Sequence, residues 1–185
     1  VIQRAEEGSR VPTVEVFSAF TSEYSARPQQ YQSTLRKLAK KLRADTCLIP
    51  WFISHGIGHH VLVEVDTRER IAWIMDSIST QVLGKKCNNQ TAKNVRRLLR
   101  YLDGIDITGG GKRSTAGVGS WKTKWGSTRH QGKSVDCGVF VMINGRRIIL
   151  QEAMEARPCR AVDARLHVIL ELTGGQISEG NIRGV

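Results

Sequence analysis

At 185 residues, 40% hydrophobic and 24% charged, the chain has the size and balance of a single soluble globular domain with a sizeable core. No apolar run approaches the roughly 18 residues that a membrane-crossing helix needs, which excludes such a helix and any expected membrane partner. The 28 lysines and arginines outnumber 17 acidic residues, a net charge of +11, and that balance predicts attraction to acidic partners, nucleic acid or an acidic protein face.

Residues 1–28 read as a polar, irregular N-terminal segment with only Val14, Val16, Phe17 and Phe20 to bury. Residues 29–43 predict an amphipathic helix, with Tyr31, Leu35, Leu38 and Leu42 on one face and the lysines and arginines opposite. The apolar run Thr46–Ile53 predicts an edge or interrupted strand, because it contains Pro50. A turn over His55–Gly58 leads into a strand that ends at Asp66; a polar turn over Thr67–Arg70 follows, and Ile71–Met75 returns as a second strand ending at Asp76. This hairpin sets His59 at the start of one strand and Asp76 at the end of its antiparallel partner, and those two ends are neighbours.

Residues 91–102 predict a further helix, N-capped by Thr91, with Val95, Leu98, Leu99 and Leu102 inward. The glycine-rich stretch Gly104–Gly119 predicts a flexible loop; it lacks the GxxxxGK[ST] pattern of a phosphate cradle. From Asp136 the chain predicts a long apolar helix beginning at Cys137, weakened by Gly145 and ended by Pro158. A last helix spans about Val162–Leu172, closed by Gly174 and Gly175. The expected organisation is thus an irregular segment over 1–28, a catalytic domain over 29–173 and a tail over 174–185. With neither a signal peptide nor an initiator methionine, the chain reads as a fragment or processed domain of something longer.

The basic clusters, Arg36-Lys37 with Lys40-Lys41, Arg96-Arg97 with Arg100, and Lys112-Arg113 with Lys122 and Lys124, are scattered along the chain and read as solvated faces. Cys47, Cys87, Cys137 and Cys159 are too far apart for a CxxC pair or a zinc site. No metal or cofactor is expected, and the cysteines suit a reducing intracellular compartment.

The chemistry lies in Gln131-Gly-Lys-Ser-Val-Asp-Cys137-Gly. A thiol at the start of a helix feels the positive end of the helix dipole, which favours the thiolate. An imidazole at His59 can take the thiol proton, and a carboxylate at Asp76 can hold that ring in the right tautomer. The Gln131 amide and the Cys137 backbone N–H can hold a developing oxyanion. Singly each residue is ordinary; the ordered set His59, Asp76, Gln131, Cys137 points to acyl transfer through a thioester.

These residues resemble the ubiquitin-like-protein-specific proteases (the SUMO or sentrin proteases), cysteine peptidases related to the adenovirus protease. The matching segments are His59-His-Val-Leu-Val-Glu-Val-Asp66, Met75-Asp76-Ser77 and Gln131 through Gly138, within a resemblance running from about Leu35 to Leu172. Aligning Leu62, Asp66 and Asp76-Ser77 selects His59 over His55 and His60. The resemblance implies an α+β, papain-like cysteine protease fold, circularly rearranged because the order is His, Asp, Cys, with a central mixed or antiparallel sheet and helices packed around it. It implies His59 as general base, Asp76 as its orienter, Gln131 as oxyanion donor and Cys137 as nucleophile. His60 stands where the family usually has the tryptophan that covers the tunnel for the substrate's Gly-Gly tail, and Trp51, Trp121 and Trp125 are candidates to compensate, Trp51 and Trp125 foremost. Residues 1–28 hold no counterpart of the family's Trp-Leu opening motif.

The activity implied is cleavage after the C-terminal Gly-Gly of a SUMO-like modifier, in deconjugation from lysine or in precursor maturation, by a monomeric enzyme of the nucleus or cytoplasm. A processing protease of a mobile element, virus or effector would use the same residues on another substrate. A catalytically degenerate binding module would use the basic surface, through which nucleic acid is a partner and not a substrate.

Overall fold

The computed structural model describes residues 12–53, 58–78, 80–105, 121–126, 128, 136–151 and 161–172. Five strands form one mixed sheet in the order β1 (Val14–Val16), β2 (Thr46–Ile53), β3 (His59–Asp66), β4 (Ile71–Met75) and β5 (Lys122–Trp125). β3 runs antiparallel to both β2 and β4; β1 and β5 join the edges in parallel. The β3–β4 turn forms because Asp66 accepts the backbone N–H groups of Arg68 and Glu69 through one carboxylate oxygen, at 3.0 and 2.9 Å.

Side-chain alternation decides which helix meets which face. Val61, Val63 and Val65 have no exposed surface and join Ile49, Trp51 and Ile74 beneath two helices. These are α2 (Gln32–Lys41), presenting Leu35 and Leu38, and α3 (Thr80–Asp103), presenting Val95, Leu98, Leu99 and Leu102. Full burial of such side chains stabilises by roughly 1.5–3 kcal/mol each. The opposite face carries Leu48, Leu62 and Met75, which pack with Val141 and Ile148 of α4 (Cys137–Ile149). Beyond α4 lies α5 (Ala161–Leu172), whose Val168 packs on Phe140 and Ile143. The short helix α1 (Thr21–Ala26) lies beside β2.

Four expectations change. The segment expected to be irregular contains β1 and α1, and Phe17 is buried in the core while Phe20 is exposed. β1 pairs with a strand about thirty residues later, Val14 against Thr46, so no local turn announces it. α3 starts at Thr80, and Thr91 is a buried interior residue, not a cap. α4 stops at Ile149, where Gln151 takes a left-handed conformation (φ 56°), well before Pro158, which lies outside the described residues. β5 has no apolar alternation to reveal it, being Lys-Thr-Lys-Trp.

The expectation at Pro50 survives in a refined form. Leu48 turns its carbonyl toward β1, accepting the Phe17 N–H at 2.8 Å. Backbone groups two residues along a strand point the same way, so the Pro50 nitrogen faces the edge of β2 beyond the last β1 pair, Val16 with Leu48. A missing donor there breaks no ladder bond.

Candidate active site

His59 opens β3 and is 1% exposed. Gly58 before it has φ +64°, a conformation open to glycine, which lets the chain swing into the strand. Asp76 follows β4 directly and is 4% exposed. The register pairs Leu62 with Met75; one step further it sets Asp76 across from Val61, diagonal to His59 and on the same face. The His59 Nε2 lies 2.7 Å from Asp76 Oδ1, a buried pair. The same oxygen accepts the Ile78 backbone N–H at 2.8 Å. A carboxylate so held accepts a hydrogen bond from Nε2–H and leaves Nδ1 of the ring as the nitrogen with a lone pair.

Cys137 is the first residue of α4, a half-buried free thiol. Asp136 occupies the cap position, and its carbonyl takes the N–H groups of Val139 and Phe140 at 2.9 and 3.2 Å. Its carboxylate does not cap. It accepts Nε and a terminal nitrogen of Arg165 at 2.6 and 2.5 Å, tying α5 to the start of α4. The thirteen-residue helix directs its positive end at the thiol. Among the described residues no hydrogen bond joins the Cys137 thiol to the His59–Asp76 pair. Gln131 lies outside the described residues.

His60 is half-buried, its ring tilted 45° against Phe52 with centroids 4.9 Å apart. Burial, followed by the neighbouring His59, pushes the His60 imidazole below its ordinary pKa of 6.5 and keeps it neutral. Trp51 is 3% exposed and belongs to the core, which corrects its assignment as a substrate-facing residue. Its neighbour Phe52, 39% exposed, is the ring that lies against His60. The available signal was register: Phe52 pairs directly with His60. Trp125 ends β5 and is 37% exposed.

Neither a protein-family model nor a curated protein sequence matches the chain. Solved structures do. The C-terminal Ulp1 protease domain in complex with Smt3, the yeast ortholog of SUMO, aligns at 15% identity and TM-score 0.55, over 79% of this chain and 61% of that one. The Ulp1-like SUMO protease catalytic domain of Chaetomium thermophilum aligns at 19% identity and TM-score 0.58, over 91% of this chain and 64% of that one. The Xanthomonas campestris effector XopD, bound to ubiquitin, aligns at 18% identity and TM-score 0.51, covering 85% and 77%. The chain therefore spans less than two thirds of the length of either SUMO protease domain, and its α+β fold is the one they share.

Proposed function

We propose that the chain is a thiol-dependent isopeptidase that cleaves after the C-terminal Gly-Gly of a SUMO-like modifier. The observation that carries this reading is the buried His59–Asp76 pair, 2.7 Å apart, in a fold whose nucleophile helix opens on Cys137. Nδ1 of His59 takes the Cys137 proton, and the sulfur adds to the carbonyl of the terminal glycine. Asp76 holds the ring and stabilises the charge it gains. The oxyanion forms against the Cys137 N–H and the Gln131 side-chain amide, each such donor lowering the barrier by about 3 kcal/mol. Collapse breaks the carbon–nitrogen bond, and the imidazolium returns its proton to the departing lysine amine. Water, deprotonated by His59, then adds to the thioester and releases the modifier's carboxylate with the free thiol.

His60 and Phe52 form the aromatic wall beside the general base and stand in for the tryptophan lid of the resembled family. A reducing compartment, nucleus or cytoplasm, suits a catalytic thiol. The basic balance suits a modifier with an acidic surface.

The test is labelling by SUMO and ubiquitin that carry a C-terminal thiol-reactive group, with Cys137→Ala alongside. Selective labelling by the SUMO probe that vanishes in the variant supports the proposal. A hyper-reactive Cys137 that ignores both modifiers would redirect it to a processing protease with another substrate. Equal alkylation of the native and unfolded thiol would refute the nucleophile assignment.

A further inference from the structure

Charge is distributed unevenly along this chain. Three long stretches, 24–44, 77–102 and 107–135, contain no Asp or Glu, and together they hold 18 of the 28 lysines and arginines. In the sequence they are far apart. The fold brings their helices and strand together: α2 comes from the first, α3 from the second and β5 from the third, with α3 packed against both others.

Within this group the basic side chains turn outward. On α2, Arg36, Lys37 and Lys40 are exposed, opposite the buried Leu35 and Leu38. On α3, Lys93, Arg97 and Arg100 are exposed at helical spacing, a row about 10 Å long. On β5 it is Thr123 that faces α3, accepting from Arg96 at 2.9 Å, and the exposed Lys122 and Lys124 alternate to the other face of the sheet, Lys124 over the Trp73 ring. Among the described residues none of the six on α2 and α3 sits in an ion pair. The one acidic residue of the three elements, Asp103, pairs with Arg70.

The face is also poor in apolar surface. Of the exposed large hydrophobic residues, Tyr101 and Trp125 lie on these elements; Met142, Ile149, Leu150, Val162, Leu166 and Ile169 lie on α4, on α5 or just past the end of α4. A protein partner is held by an apolar centre with a polar rim. A polyanion needs cations alone.

We infer that the outer surface of α2 and α3 binds a nucleic-acid duplex through its phosphates. The rows lie side by side, with packed helix axes about 8–10 Å apart, so the cations cover a breadth that two backbones fill better than one. The surface lies on the sheet face opposite α4, the helix that opens on Cys137. Nucleic acid bound there leaves that helix uncovered, and this inference stands whether or not the proposed peptidase activity does.

Binding of a fluorescent DNA duplex of about 20 base pairs, followed by anisotropy over rising KCl, tests it. The expected result is micromolar binding at about 50 mM salt, with log K falling steeply and linearly against log salt. The variant Lys93→Gln/Arg97→Gln/Arg100→Gln is expected to weaken binding at least tenfold and to flatten the slope by roughly 2–3, about 0.9 for each phosphate left without its cation. Arg36→Gln/Lys37→Gln/Lys40→Gln is expected to do the same independently, with melting temperatures checking that both variants fold. No binding at low salt would overturn the inference, as would affinities unchanged in both triple variants. Poly-glutamate competing as well as DNA at equal charge would also overturn it, in favour of an acidic protein.

Discussion

Replacing Asp76 tests how the general base is held, because Asn and Ala should behave differently here. Oδ1 of Asp76 serves two donors at once, His59 Nε2 at 2.7 Å and the Ile78 backbone N–H at 2.8 Å. In Asp76→Asn the backbone N–H still demands an acceptor at that position, so the amide oxygen stays there and still accepts from Nε2. The tautomer is preserved, and only the charge is lost. Charge-assisted hydrogen bonds contribute about 1.5–3 kcal/mol and neutral ones about 0.5–1.5, so the loss is about 1–2 kcal/mol, a factor of about 5–30 in rate. Asp76→Ala removes the acceptor altogether. It leaves two buried donors unsatisfied at about 1–3 kcal/mol each, and it frees the ring to take the wrong tautomer. The expected rate loss is about a thousandfold, with stability lower by about 3–5 kcal/mol. The assay is the second-order rate of Cys137 alkylation by iodoacetamide at neutral pH, read by peptide mass, together with labelling by the SUMO probe. Asn as slow as Ala would show that the amide flips and that the double acceptor does not pin it. Parent rates in both would remove Asp76 from the mechanism.

Burial pushes the Cys47 thiol up to about 12, and it also donates to the Lys41 carbonyl at 3.4 Å. In native protein it should therefore resist alkylation by at least about a thousandfold relative to an ordinary thiol, and comparable labelling of Cys47 and Cys137 would contradict this. The His60 imidazole is held below 6.5, so the folded state binds fewer protons than the unfolded one as acidity rises. Stability is complete above pH 6.5 and falls below it; melting temperatures of His60→Phe should depend less on pH across about 5 to 7, and an unchanged dependence would place the titration elsewhere. Asp45 is held down to about 2, from 3.8, by the Thr13 N–H, the Thr13 hydroxyl and Arg68. Its contribution is present above 3.8 and lost as pH falls toward 2, so Asp45→Asn should flatten the acid limb of the stability curve, and a limb as steep as the parent's would count against it.

The parts legible in the sequence were those with local logic. The β3–β4 hairpin announced itself through alternation and a polar turn, and with it came the nearness of His59 and Asp76. The apolar stripe of α2 and the start of α4 at Cys137 were equally plain. The edge strands were not. β1 is three residues long and β5 is polar, and each pairs in parallel with a strand distant in sequence, so their identity rests on tertiary pairing alone. The early start of α3 was hidden by Gly84, Asn88 and Asn89, residues of low helix propensity. Trp51 is buried and Phe52 exposed because strand phase, not residue type, decides which ring faces outward. The basic clusters of α2 and α3 looked scattered because only the packing of the two helices places them on one surface.

The Pro50 geometry has a bearing on self-association. β2 lies inside the sheet over Thr46–Leu48; beyond the last β1 pair, along Ile49–Ile53, no described strand pairs with its outer side, and α1 lies beside it. That segment is apolar throughout. A strand edge left without a pairing strand is a template on which another chain's strand can pair once α1 moves aside. Proline withholds the donor that faces this edge, so an incoming strand meets a gap where a ladder bond should form. Pro50→Val would supply that donor and lengthen a continuous β-branched and aromatic run, turning a quiet boundary of the sheet into a site of edge-to-edge aggregation.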